Sequence, residues 1–471
     1  MGVKSISKRV LFIRAKKDSD DSLHFHVGHL GLAMLSAILR KRGHEVLVVD
    51  YLLFSKGEEP PITKIIEQFK PDVIGLSLYT STMKMSNSLI DEIRAVSNKP
   101  IIVGGPHATI FFNDLAKDDR LNYIIRGEAE LSIVDVIEKA KINNKPLVVE
   151  SPTPDLTKLP SPDFTTFLNY ERIDQYPLLT SRGCPYGCSF CAVKFITARK
   201  WRKRDYKICV DEVEMAKKIL PNLQSVKIVD DAPTTDLNNF KTFLKEYADR
   251  DLHLTLGIDN MRADKVDEEL VMLAKKAGCN LLCLGVESGN SEVFKLINKG
   301  ESLEDIKRAA RLIKQGGLEL GLCFIIGLPK DTYEKEKDSI ALAKELRASL
   351  IFWNMAHPME GTDINEWYKK NGAKIYDRSN YTSYTTSVLS CEEPMVETKD
   401  FSLEDRKKAH FRAVLETDQY LLISIDEFVY LITHTFKYQL YFIAFKSILR
   451  QPLRAFKMTK KFIKRYILRS E

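Results

Sequence analysis

Residues 181–193 read SRGCPYGCSFCAV and set Cys184, Cys188 and Cys191 in the spacing C-x3-C-x2-C. Structural zinc asks for four Cys or His ligands, typically as two close pairs. Here only Cys209 follows closely, so zinc fits poorly, as does a merely buried triplet. Three close thiolates instead suit a [4Fe–4S] cluster with one iron left open to a substrate or cofactor. Gly183, Pro185 and Gly187 let the backbone fold tightly around such a group.

Outward from this loop, the chain alternates strands and helices. Apolar runs at 176–183, 225–231, 254–259, 280–289, 318–329 and 349–358 alternate with helical periodicity at 210–220, 238–250, 267–278, 302–317 and 335–346. Six β/α steps are too few for a closed eight-fold barrel, so residues 176–375 are expected to form a partial (β/α)6 barrel with an open side. Residues 1–150 alternate in the same way. Strands are predicted at 9–15, 45–51, 72–79, 100–106 and 122–128, with helices at 31–43, 62–70, 86–97 and 130–141. Strands apolar throughout and separated by helices imply a parallel sheet covered on both faces, a doubly wound Rossmann-like domain. Its ligand is expected beyond the carboxyl ends of the strands. The first strand is not followed by G-x-G-x-x-G, which disfavours a nicotinamide or flavin dinucleotide.

Residues 151–175 are rich in Pro, Asp and Thr and read as a linker extended across the surface. Residues 376–471 carry few Gly and Pro and read as a helical C-terminal region. Its last segment, 453–468, forms an amphipathic pattern with Lys and Arg largely opposite an apolar side. The net charge of +7 belongs to this end: residues 431–471 hold ten Lys or Arg and one acid, leaving the first 430 residues at −2. Eight cysteines in 471 residues are too sparse for a disulfide scaffold and point to a reducing compartment. The N-terminus lacks the apolar core of a signal peptide, and no apolar run reaches the roughly 18 residues of a spanning helix. A cytoplasmic protein, with membrane association through its basic tail, is the expectation.

The cysteine spacing, the aromatic Phe190 before the third cysteine, and the position at the end of the first barrel strand resemble the radical SAM superfamily. LGVESGNSEVFKLINKG (284–300), FIIGLPKDTYE (324–334) and HPMEGTDI (357–364) are similar to its later barrel motifs. The resemblance implies that Cys184, Cys188 and Cys191 hold a [4Fe–4S] cluster whose fourth iron binds S-adenosylmethionine. It assigns Phe190, Asp230, Asp231, Glu287, Ser288, Ile326 and Gly327 to the S-adenosylmethionine site. In it the Asp pair meets the methionyl amino group, Glu287 with Ser288 the ribose hydroxyls, and the Ile326–Gly327 backbone the adenine. Cys279, Cys283, Cys323 and Cys391 read as small core hydrophobes.

A doubly wound domain ahead of such a barrel resembles the cobalamin-binding branch, the class B radical SAM methyltransferases. GHLGLAMLSAILRKRGHEVLVVD (28–50), DVIGLSLYTST (72–82), IIVGGPHAT (101–109) and IIRGEAE (124–130) follow that domain's order. The resemblance assigns Ser77, Thr80, Ser81, Gly104, Gly105 and Pro106 to cobalamin. The D-x-H-x-x-G motif, whose His replaces the lower cobalt ligand in many cobalamin proteins, is missing. His24, His26 and His29 lie in the right loop at the wrong spacing, which leaves that ligand unassigned.

The implied function is a cobalamin-dependent radical SAM enzyme. It would methylate an unactivated carbon through a 5′-deoxyadenosyl radical and methylcobalamin, with a reducing partner such as flavodoxin or ferredoxin. The alternatives are a non-methylating cyclisation, rearrangement or oxidation on a lipid or natural-product precursor, and a cluster-bearing electron-transfer protein. Asp230, Glu287 and GLP argue against the last, because electron transfer needs no adenosine pocket. The substrate is expected to be a small molecule or lipid. No nucleic acid is expected, since the basic segment lacks a recognised fold for it. The catalytic residues and the oligomeric state are not legible.

Overall fold

In the computed structural model the structure describes residues 7–16, 26–55, 57–376, 393–420 and 425–450. Two six-stranded parallel sheets organise the chain. The first contains β1 (Arg9–Arg14), β2 (Glu45–Asp50), β3 (Val73–Ser77), β4 (Ile101–Gly104), β5 (Tyr123–Arg126) and β6 (Leu147–Glu150), in the order β2-β1-β3-β4-β5-β6. Their apolar side chains point to both faces, and every residue of β3 is buried. Helices Leu30–Lys41, Ile62–Phe69 and Met83–Val96 cover the sheet. The second helix stops where the following Pro71 disfavours helical geometry, with Lys70 turning into the left-handed region at φ 47°. Strand order reverses between β1 and β3, so the crevice outside their carboxyl ends is the natural ligand site.

The second sheet contains β7 (Gln175–Leu178), β8 (Ser225–Ile228), β9 (Thr255–Met261), β10 (Cys279–Glu287), β11 (Glu319–Ile326) and β12 (Leu350–Met355). They lie side by side in that order, with β7 and β12 at the two edges, so the barrel is open. Side-chain caps start its helices: Asp205 for Tyr206–Ile219, Asp267 for Glu268–Lys276, and a Ser302–Asp305 capping box for Leu303–Gln315.

The stretch 151–175 departs from the expected surface linker. Leu156, Phe164, Phe167 and Ile173 are buried, and Phe164 stacks edge-on with Tyr176 of β7. Backbone bonds tie it to the first sheet: Asp163 N donates to Ala33 O at 3.0 Å and Leu168 N to Val48 O at 2.8 Å. These rings make it a strap inside one core that runs from the first sheet into the barrel. β6 is also an addition. Leu147 and Val148 are exposed on this edge strand, so it lacks the burial of its neighbours although its residues are as apolar.

Charged side chains close the junction between the two sheets. Arg182 Nη1 lies 2.8 Å from Glu130 Oε1 and also pairs with Glu128. Arg202 Nη1 lies 3.1 Å from Glu128 Oε2. After the barrel, helix Leu403–Glu416 packs beneath β11 and β12, followed by helix Ile425–Tyr438 and a helical stretch at 441–450. The amphipathic pattern expected at 453–468 lies outside the described residues. Among the described residues no helix is long and apolar enough to cross a membrane.

Candidate functional site

The cysteine loop leaves the barrel through Ser181–Arg182, which pairs antiparallel with Arg202–Lys203. Gly183 follows at φ 94°, and a Cβ there would stand 2.0 Å from Lys200 O, so only glycine fits. Gly187 has no such constraint; its virtual Cβ meets nothing nearer than 3.4 Å. The loop is pinned from the far side by Ser189, whose N–H donates to Ile297 O at 2.8 Å and whose carbonyl accepts from Ile364 N at 3.1 Å. Cys184, Cys188 and Cys191 are free, partly exposed thiols.

Burial pushes all three thiols up, Cys188 to about 11, and the neighbouring Cys191 and Cys184 push Cys188 further. The protein alone therefore holds them protonated, and a cationic metal group is what would make them thiolates. Among the described residues no three His, Cys, Asp or Glu side chains converge on a single ion. A cluster gives each thiolate its own iron and needs no such convergence, so the donor set fits a cluster better than zinc.

The two aspartates hold this loop from the end of β8. Asp230 is 1% exposed, and its carboxylate accepts from Thr180 N at 2.7 Å, Thr180 Oγ1 at 2.6 Å and Ser181 Oγ at 2.5 Å. Burial raises it to about 6 against these bonds. Asp231 accepts from Gly183 N at 2.9 Å and is less buried. Asp230 thus positions the strand before the cysteines, and Asp231 is the member of the pair with surface left for a ligand.

Glu287 ends β10 in the left-handed region, at φ 67°. Its Oε1 lies 3.0 Å from Lys299 Nζ. A Cβ on Gly285 would stand 2.4 Å from that same carboxylate oxygen, so the glycine makes room for the ion pair. Lys299 Nζ also lies 3.3 Å from Glu301 Oε2 and has Cys188 close enough to feel its charge. Arg262 donates to Lys299 O at 2.8 Å, and its guanidinium sits 3.6 Å over the ring of Tyr186, inside the cysteine loop. Lys299, Arg262 and Tyr186 were not among the expected site residues. Lys299 lies within the quoted 284–300 motif, but a lysine twelve residues beyond Glu287 has no local signal that it folds back.

The other assigned residues are tied more closely into the fold. Gly327, at φ 87°, has no free polar backbone group. Its N–H donates to Asp331 at 2.8 Å, and its carbonyl accepts from Tyr368 OH at 2.6 Å and Arg406 Nη1 at 2.8 Å. Ile326 is fully buried, and its carbonyl accepts from Ala356 N at 2.9 Å. Through Arg406 the pair ties the end of β11 to the C-terminal helix. Ser288 is buried, with its hydroxyl accepting from Asn290 N at 3.2 Å. Phe190 packs against Ile364, Tyr368 and Val396. Cys279 and Cys283 are buried, as expected of core thiols, while Cys323 is partly exposed beside Gly285 in the strand register. Cys391 lies outside the described residues.

The crevice of the first sheet holds a cavity of about 290 Å³. Ser77, Gly104, Gly105 and Pro106 line it, while Thr80 and Ser81 do not; Thr80 Oγ1 is instead 3.0 Å from His107 Nδ1. Gly105 has φ 94°, and a Cβ there would meet Leu78 O at 2.9 Å. Gly104 leaves the wall bare. This glycine cradle fits the nucleotide tail of a cobalamin.

His29 also lines the cavity. Its Nδ1 accepts from Leu32 N at 3.0 Å, capping the helix, and its Nε2 lies 3.0 Å from Ser77 Oγ and 3.1 Å from Tyr79 OH. What area it exposes faces the cavity, and this enclosure, with Arg14 nearby, lowers its pKa to about 3. Both ring nitrogens are engaged, so His29 is a wall residue. His26 bonds Asp174 through its N–H at 2.8 Å, with its ring 3.3 Å from that carboxylate, and His24 lies outside the described residues. The cavity's far wall comes from the barrel: Arg182 and Ile196 reach into it, and Arg182 stands two residues before Cys184.

Residues 178–343 match the model of the radical SAM superfamily, and residues 21–137 match that of the B12 binding domain. An uncharacterized methyltransferase of Pyrococcus horikoshii is 27% identical over 409 residues, covering 80% of this chain and 85% of its own. The anaerobic magnesium-protoporphyrin IX monomethyl ester cyclase of Rubrivivax gelatinosus is 26% identical over 391 residues, 76% of this chain and 69% of its own. Among solved structures, the radical S-adenosylmethionine methyltransferase TsrM of Kitasatospora setae shares the fold, with a TM-score of 0.62 and 18% identity over 78% of each chain. The two matched domains imply a [4Fe–4S] cluster, S-adenosylmethionine and cobalamin as cofactors. The chain is a radical SAM enzyme with a B12-binding domain ahead of its partial barrel.

Proposed function

We propose that the enzyme methylates an unactivated carbon of a small-molecule or lipid substrate. The observation that carries this reading is the shared wall. Arg182 lines the glycine-cradled cavity of the first domain and leads directly into the cysteine loop, so the two cofactor sites adjoin at one junction. When bound, the cluster supplies the electron that cleaves S-adenosylmethionine, and cobalamin supplies the methyl group.

The chain's own groups do the positioning. Cys184, Cys188 and Cys191 are the thiolate donors. Asp231 accepts from the methionyl ammonium, a charge-assisted bond that favours its ionised form. Glu287, held by Lys299, accepts from the ribose hydroxyls. Gly104 and Gly105 admit the nucleotide tail of cobalamin. Gly285, Cys323 and Phe352 lie side by side in register across β10, β11 and β12, and Phe352 is exposed, which suits a substrate with an apolar body. Flavodoxin or ferredoxin would supply the electron, in a reducing cytoplasm. The basic C-terminal segment would make peripheral contact with a membrane carrying a lipid or other apolar precursor.

The likeness to a cyclase favours a second reading, a radical cyclisation, rearrangement or oxidation without methyl transfer. Anaerobic incubation of the reconstituted enzyme with cell extract and methyl-deuterated S-adenosylmethionine separates the two. Methylation predicts a product carrying the label that Cys188→Ala does not form. Unlabelled product alongside 5′-deoxyadenosine supports the second reading, and absence of S-adenosylmethionine cleavage overturns both.

A further inference from the structure

The two helical stretches after residue 425 have apolar residues on both sides. Inward, Leu431, Tyr438, Leu440, Ala444 and Ser447 are buried, and Phe411 of helix Leu403–Glu416 packs on Tyr430 and Tyr438. Outward, Ile432, Phe436, Tyr441, Phe442, Phe445 and Leu449 are between 36% and 68% exposed. Phe436 and Tyr441 meet edge-on with ring centroids 5.4 Å apart, which joins the outward stripes of the two stretches into one surface. Soluble monomers rarely leave a continuous aromatic patch of this kind bare.

Charge identifies what covers it. Residues 431–450 contain Lys437, Lys446 and Arg450 and no acid. Lys446 Nζ sits 4.5 Å over the exposed Phe442 ring, and Arg450 and Lys437 lie at the margin, paired to Asp418 and Glu404 of the body. The 21 residues that follow add seven Lys or Arg against one Glu. A second copy of this chain would bring two such charges together and be repelled. An anionic lipid surface attracts the cations and offers hydrocarbon to the rings, the pairing used by interfacial helices.

We propose that the outward face of residues 429–450 is a docking surface for an anionic membrane, with Phe442 and Phe445 at its centre. This deepens the membrane reading of the basic tail by giving the folded body its own contact, and it is independent of the reaction catalysed. The test is flotation of the full-length holoenzyme with phosphatidylcholine vesicles and with vesicles also containing phosphatidylglycerol, alongside the variant Phe442→Ser/Phe445→Ser. The wild type is expected to float with anionic vesicles only, and less so as ionic strength rises. The variant is expected to bind about tenfold more weakly while keeping its cluster absorbance and thermal midpoint. A variant that floats like the wild type overturns the patch and leaves the tail as the sole contact. A wild type that does not float overturns both patch and tail readings. In that case, a dimer dispersed by the same variant identifies a second copy as the occupant, and retention on RNA identifies a nucleic acid.

Discussion

A methyl group at position 183 would sit 2.0 Å from the Lys200 carbonyl oxygen, on a backbone already at φ 94°. Gly183→Ala is therefore expected to cost about 1–3 kcal/mol and to displace the cysteine loop. Its iron content after reconstitution should fall well below that of the wild type, and its thermal midpoint should drop. At His29 the prediction concerns pH. The folded pKa is about 3 and the ordinary value 6.5, so the neutral ring stabilises the fold fully above about pH 6.5. Below that the unfolded chain takes up the proton first, and stability falls steadily towards pH 3. The effect is on the order of 3 kcal/mol once screening by cavity water is allowed for. Denaturant midpoints across pH 4–7 should show a shallower slope for His29→Gln than for the wild type. The electron paramagnetic resonance of cobalt(II) in the bound cofactor should show no axial nitrogen that this substitution removes. Such a loss would make His29 a ligand, against its two engaged ring nitrogens.

The strands of both sheets are legible because each is a short apolar run bounded by turns, and burial on both faces is what produces such runs. The same rule explains what is not legible. β6 carries a short apolar run, Leu147 to Val149, but lies on an exposed edge where burial on both faces does not set the pattern. Phe164 and Phe167 lie among prolines and aspartates, so composition signals a linker while two rings fill the core. Phe164→Ala or Phe167→Ala is expected to cost about 3–5 kcal/mol, read as a lowered denaturation midpoint, where a surface linker would tolerate either. The three cysteines are legible from spacing alone. The ion pair of Glu287 and Lys299 is not, because a helix and a turn separate the partners. The tie of Gly327 to Arg406 is silent for a related reason: the partner lies 79 residues away, and no local pattern announces that contact.

Across the whole molecule, Glu128 ties the cysteine loop to the first domain. Its carboxylate holds Arg182 and Arg202 at the junction, largely out of solvent. Glu128→Ala would leave two guanidinium groups short of a partner and is expected to cost about 2–3 kcal/mol. Because Arg182 walls the cavity, the variant should also retain less cobalamin, read as cobalt per chain, while its iron content stays near wild type. Cys188→Ala should do the reverse, losing iron and keeping cobalt. Two separable cofactors at one junction make sense if both serve one reaction. The direct measurement is the pair of coproducts formed with substrate and reductant under anaerobic conditions. Methyl transfer by this route predicts that 5′-deoxyadenosine and S-adenosylhomocysteine accumulate in equal amounts with the methylated product. Full 5′-deoxyadenosine production without S-adenosylhomocysteine would contradict it.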